Sequence, residues 1–216
     1  MRTVLAVIVT VWLVVAAAAA AATSPSVATL ILRAEQVGPG YVLQHPADGR
    51  GVAASPTLNL CGNDYPSESR RLTRLQTNYV HSSTTLAISN EVVSYTPGGA
   101  AQAMREVIKH AANCKHHLLT TGLKSVPTVV VKVTRIQVPH LLKDYLAVRI
   151  LTTGKLNGKS FTQTSFAVYQ RHGDVLSGVY SSGLTIAPQL RLCLHAAEQS
   201  AHNLRQTASA SKGPAA

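Results

Sequence analysis

Hydrophobic positions along this chain change rhythm several times, and each change marks an element. Across 100–111, Ala100, Ala103, Met104, Val107, Ile108 and Ala111 recur at intervals of three and four. That spacing lays one apolar stripe along a helix and leaves Arg105, Lys109 and Lys115 off it. Cys114 continues the stripe, so its sulfur is expected to point inward. The interval returns after Pro188, where Leu190, Leu194, Ala197, Ala201 and Leu204 predict a second long helix. Two shorter helices are expected earlier. One covers 27–36, capped by Ser26 and ended by Gly38-Pro39-Gly40; the other covers 66–76, with Pro66 in its first turn and Ser67 and Glu68 at the positive end of its dipole.

Elsewhere the period is two. Leu86 and Ile88 alternate with polar neighbours in 83–95 before Pro97-Gly98-Gly99 breaks the run, and 129–138 and 145–153 repeat the habit. Asn157-Gly158 tolerates positive φ and His172-Gly173-Asp174 forms the next turn, so 161–170 and 175–181 join a hairpin meander. The stretch 46–56, rich in Gly, Ala and Ser, reads as an exposed loop. Helices and strands thus come in blocks, with consecutive strands joined by tight turns. The expected class is α+β: a single twisted antiparallel sheet with the two longer helices packed on one face.

The first residues follow neither rhythm. Behind Arg2, positions 3–15 are continuously apolar or small and run into an alanine tract that ends at Ala22 before Thr23. A positive start, a short apolar stretch and small residues at the end make 1–22 a signal peptide, with cleavage after Ala22. The rival reading is a retained membrane anchor over 3–22, since about 20 residues can span a bilayer. No cysteine precedes Cys61, so a lipoprotein would lack its acylated thiol. What remains, 23–206, is the size of one domain. The small polar residues of 207–216 are expected to form a disordered tail.

Charge and cysteines refine this picture. Twenty lysines and arginines against nine carboxylates give a formal charge of +11. Outside a cell, that favours anionic envelope polymers, phospholipid headgroups or acidic partners over nucleic acid, and charge kept for solubility alone is the plainer alternative. A monomer is expected. Three cysteines leave one odd in an exported chain. The expected bridge is Cys61 to Cys114, with Cys193 a buried thiol; Cys114 to Cys193 is the other pairing considered.

Candidate chemistry is thin. Gly154-Lys155-Leu156-Asn157-Gly158-Lys159-Ser160 imitates a phosphate-binding loop, but has three residues between its glycines where four are needed and is followed by a strand pattern. His110, His116 and His117 gather near Cys114 without any metal-binding spacing, so they read as a solvated helix end. No G-x-S-x-G is present, and Gly178-Val179-Tyr180-Ser181-Ser182-Gly183 has the wrong spacing. Glu35, Glu68, Glu91 and Asp174 are candidates only as any carboxylate is. Arg191, His195, His202 and Arg205 give the last helix a basic side that lacks aromatic membrane anchors. No catalytic residue, cofactor site or metal ligand is assigned.

Three stretches carry a family likeness: Leu58-Asn59-Leu60-Cys61-Gly62 leading into Tyr65-Pro66-Ser67-Glu68; Glu91-Val92-Val93-Ser94-Tyr95 running into Gly98-Gly99-Ala100-Ala101; and Tyr169-Gln170-Arg171-His172-Gly173-Asp174-Val175-Leu176. Together they resemble exported actinobacterial sensor-domain proteins, the group similar to the extracellular domain of PknH-type serine/threonine kinases. The resemblance spans 29–205. It implies an α+β domain with an antiparallel sheet, a disulfide carried by Cys61 and Cys114, and a cleft for an extracellular ligand. The chain has no kinase region, and the family has no agreed catalytic residues to carry over.

The expected function is therefore an exported, non-enzymatic sensor-like domain holding a small, lipidic or anionic envelope ligand in a cleft. The alternatives are a secreted serine hydrolase with an unrecognised site and a basic envelope-docking module. The expected place is outside the cytoplasm, secreted or held at the envelope by the N-terminal segment.

Overall fold

The computed structural model describes residues 26–53, 60–81, 83, 86–183 and 186–210. The expected signal peptide and residues 211–216 lie outside the described residues. Eight strands form one antiparallel sheet: β1 (Tyr41–Gln44), β2 (Arg71–His81), β3 (Ala87–Tyr95), β4 (His117–Leu123), β5 (Val126–Ile136), β6 (Tyr145–Leu156), β7 (Lys159–His172) and β8 (Val175–Ser182). Their order is β1-β2-β3-β8-β7-β6-β5-β4, so a three-strand meander and a five-strand meander meet where β8 pairs with β3. Helix α3 (Gly99–Asn113) carries the chain from β3 to the far edge at β4, and α4 (Ile186–Ala210) follows β8. The class is α+β with a single antiparallel sheet.

The two longer helices lie on opposite faces of that sheet, not on one. Ala100, Ala103, Met104 and Val107 of α3 pack with Leu146, Val148, Ala167, Tyr169, Leu176 and Tyr180. Cys193, Ala196 and Ala197 of α4 pack with Ala147, Phe166, Val168 and Val179. The reason is in the central strands. Neighbouring residues such as Leu146-Ala147-Val148 and Ala167-Val168-Tyr169 are all buried, and a strand buried on both sides needs a cover on both sides. Alanines on α4 let it approach closely, and polar links fix it there. Ser200 shares a hydrogen bond with Ser177 (2.8 Å), and the side-chain amide of Gln170 donates to the carbonyl of Ala197 (2.8 Å).

Two short helices differ from the sequence reading. The 66–76 helix is a 3-10 turn, Pro66–Arg70, running directly into β2. Pro66 and Glu68 suit a helical start. From Arg71 onward, however, Leu75 and Tyr79 bury on the α4 side while Arg74 turns to the other, and pairing with β3 overrides the N-terminal signal. The 27–36 helix divides into α1 (Val27–Leu30) and α2 (Ala34–Val37). Leu30 and Leu32 are both buried, and the backbone of Leu32 donates to Asn90 (2.9 Å); a continuous helix would turn these two leucines to different sides. Strands β1 and β4 had no sequence expectation. At the other end, α4 continues helical through Ala210.

Candidate functional site

Beneath α3 the sheet carries a buried polar cluster, and one glycine makes it possible. Gly178 of β8 stands opposite Glu91 of β3 on one side and Tyr169 of β7 on the other. A Cβ at 178 would collide with the ring of Tyr180, which lies across the glycine. The ring can therefore lie along the sheet, and its hydroxyl reaches Glu91 Oε2 at 3.4 Å. Tyr169 meets Tyr180 edge to face, with centroids 5.6 Å apart.

Glu91 is held from its other side by Arg74. Both side chains are almost wholly buried, and Arg74 Nε donates to Glu91 Oε1. Burial of such a pair is tolerable only when the remaining guanidinium protons are also satisfied. Three of the four have acceptors: Arg74 donates to the carbonyls of Asp48 (2.9 Å) and Gly51 (3.4 Å) and to Gln76 Oε1 (2.6 Å). The loop at 46–53 is largely exposed, as expected, and is pinned to β2 by these bonds and by Gln76 N, which donates to the carbonyl of Gly49 (2.8 Å). Nearby, Arg71 pairs with Glu68 at 3.6 Å, and Glu106 of α3 accepts from the hydroxyl of Ser67 (2.5 Å).

The tyrosines stay neutral. Burial pushes Tyr65 and Tyr95 up to about 12, with the Glu68 carboxylate adding to the shift at Tyr65 and the Arg71 guanidinium opposing it at Tyr95. Burial also raises Tyr169 and Tyr180 well above the ordinary range. These four side chains, with Ser67, Arg71 and Glu91, line a cavity of about 30 Å³. That is room for a water molecule or two and no larger guest. Glu68 is likewise raised, mainly by burial.

Tyr180 also forms a wall of a second, open concavity of about 290 Å³ on the same face of the sheet. Its lining includes Asn78, Ser89, Ser165 and Ser182, one from each of β2, β3, β7 and β8, together with the apolar Val80 and Ala87. No charged side chain lines it, in a chain whose formal charge is +11. Ser181, buried, lies at its margin.

The residues singled out in the sequence are scattered. Cys61 and Cys114 are joined in a disulfide with Cα atoms 6.0 Å apart, tying the 3-10 turn at 60–62 to the end of α3. Cys193 is a buried free thiol whose pKa burial pushes up to about 12. His110 packs against the ring of Tyr65 (4.8 Å), and His117 opens β4. Among the described residues, no three His, Cys, Asp or Glu side chains are grouped to hold a metal ion. The loop imitating a phosphate site is the β6–β7 hairpin, with Asn157 and Gly158 at positive φ. Asp174 accepts from the backbone of Gly98, and Glu35 pairs with Arg33 at the surface. Arg191, His195 and His202 are exposed on α4, and Arg205 donates to the carbonyl of Leu141 (3.1 Å). Ser83 and His81 lie 3.2 Å apart in an exposed turn, where the imidazole packs on Tyr41 and not on a carboxylate.

Of the central cluster only Glu91 was a sequence candidate. The missed signal is Gly178, because a glycine inside an otherwise good strand often marks the close approach of another group.

The fold has a solved counterpart. The chain is similar to the extracellular domain of PknH from Mycobacterium tuberculosis, with a TM-score of 0.54 over 80% of this chain and 93% of that one. Identity is 11%, so the likeness is one of fold. No protein-family model and no curated protein matches the sequence. Among the described residues no helix is long and apolar enough to cross a membrane.

Proposed function

We propose that this chain is an extracytoplasmic, sensor-like binding domain that holds a small, uncharged, hydrogen-bonding molecule in the concavity beside Tyr180. The observation that carries the reading is the double role of Tyr180. One side of its ring walls the open concavity, and its hydroxyl is tied to Glu91 in the closed cluster beneath α3. A guest in the first place therefore presses on the second. The fold likeness to an extracellular kinase domain and the Cys61–Cys114 disulfide support a location outside the cytoplasm.

The lining chooses among ligand classes. Hydroxyl and carboxamide groups from four strands offer donors and acceptors without charge beside the apolar Val80, Ala87 and Tyr180 ring, a mixed lining that suits a sugar, with its hydroxyls and its C–H faces, better than an anionic polymer. The reading assigns no reaction. Glu91 is already bound by Arg74, and the tyrosines are held protonated by burial, so the cluster offers neither a ready base nor a nucleophile.

Titration of the purified domain with glucose, maltose and N-acetylglucosamine, followed by amide chemical shifts, tests this. Saturable shifts centred on Ser89, Ser165 and Tyr180, lost in Ser165→Trp, are the expected result. Flat responses to all three sugars, or saturable shifts that Ser165→Trp leaves intact, would refute it.

A further inference from the structure

The positive charge of this protein is not spread evenly. Residues 107–173 hold ten of the twenty lysines and arginines but only one of the nine carboxylates, Asp144. Strands β4, β5, β6 and β7 contain no acidic residue at all. Asp144 precedes β6 at the end away from the β6–β7 turn, about 40 Å along the strand from that turn.

The β4–β5 and β6–β7 turns project side by side, joined by a hydrogen bond from Asn157 N to the carbonyl of Ser125 (2.9 Å). Each presents a leucine to solvent: Leu123 is 61% exposed and Leu156 49% exposed. Exposed lysines flank them, Lys124 beside the first and Lys155 and Lys159 around the second. Buried polar bonding does not explain these leucines, and neither core helix reaches them. A leucine at the apex of a hairpin, ringed by lysines, has the shape of a shallow insertion device. The alkyl groups enter the acyl boundary while the ammonium groups stay at the phosphates.

We infer that the paired β4–β5 and β6–β7 hairpin tips dock this domain on an anionic lipid surface. Charge complementarity points to a negative partner, and the leucines decide that it is a bilayer and not a soluble polyanion. A polymer would need the lysines alone and would leave two large apolar side chains in water. None of the tip residues lines the concavity beside Tyr180. The inference does not depend on what that concavity holds.

Co-sedimentation of the whole domain with phosphatidylglycerol–phosphatidylcholine vesicles tests the inference, with pure phosphatidylcholine as reference. Binding is expected to the anionic vesicles only, weakening as salt rises. Leu123→Ser with Leu156→Ser should reduce partitioning at least about tenfold. Lys124→Glu should reduce it about fivefold. Arg191→Glu, on exposed α4, should leave it unchanged. All these positions are at the surface, and a thermal melt checks that each variant folds. Equal binding by the double leucine variant, with equal retention of both proteins on immobilised polyglutamate, would overturn the inference in favour of a polyanion site. Self-association through the β4 edge, lost in the leucine variant and unaffected by vesicles, would also overturn it.

Discussion

Gly178 stands directly across from Glu91, and the ring of Tyr180 occupies the space that any side chain at 178 would need. The pairing of β8 with β3 thus brings a phenol to a buried carboxylate, using a residue whose only contribution is to have no Cβ. Gly178→Ala should push the ring away from Glu91. Since Tyr169 and α3 pack around that ring, the shift costs about 1–3 kcal/mol of overpacking. Denaturant unfolding would read the loss, and the loosened Tyr180 should weaken whatever the neighbouring concavity binds. An unchanged midpoint would mean that the ring has somewhere else to go.

The Arg74–Glu91 pair gives a second expectation. Removing one member leaves the other charge buried, so Glu91→Ala should destabilise by about 3–5 kcal/mol. Replacing both, as Arg74→Met with Glu91→Met, should recover most of that loss. The double variant should still differ from the parent in one respect. The 46–53 loop loses its anchor on the Arg74 guanidinium, so limited proteolysis should cut there first. A double variant as unstable as Glu91→Ala would show that the pair is more than charge compensation.

The sequence made some of this legible and hid the rest for physical reasons. Strong periodicity in 100–111 and the Asn157-Gly158 and Gly173 turns located α3 and the β6–β8 meander, because those signals are local. The helix expected over 66–76 was misplaced because Pro66 and Glu68 speak only for one turn, while β2 is decided by partners in β3 far along the chain. The placing of α3 and α4 on opposite faces depended on reading continuous apolar runs in β6 and β7 as doubly buried strands. The cluster around Glu91 assembles residues from β2, β3, β7 and β8, and no spacing rule connects them. Only the in-strand glycine at 178 announced it.

Alkaline pH should unfold the domain over a defined window. The folded pKa values of Tyr65 and Tyr95 are raised from 10 to about 12, so the folded state holds these protons more tightly than the unfolded chain. Their contribution is fully present below pH 10 and is lost as pH rises towards 12. Tyr169 and Tyr180 shift in the same direction and steepen the loss. Phenolate absorbance from these side chains should therefore rise together with loss of circular dichroism. Early, independent ionisation of the cluster while the fold persists would contradict its burial.

The cysteines allow a test that also separates the two pairings open to the sequence. Cys193 is fully buried on the sheet-facing side of α4, with its thiol pushed up to about 12, so a thiol reagent near neutral pH should label nothing in the native protein. In denaturant without reductant, one thiol should react, and peptide mapping should place it at Cys193. Labelling at Cys61 instead would mean that Cys114 pairs with Cys193. Reduction should then expose the remaining thiols and lower stability by roughly 4 kcal/mol, the loop-closure value for a bridge spanning 53 residues. The loss should act on the end of α3 first, because Cys114 caps that helix and its carbonyl accepts from Val133 of β5 at 2.7 Å. Hydrogen exchange in the last turn of α3 and along β4 should accelerate before exchange beneath α4 does.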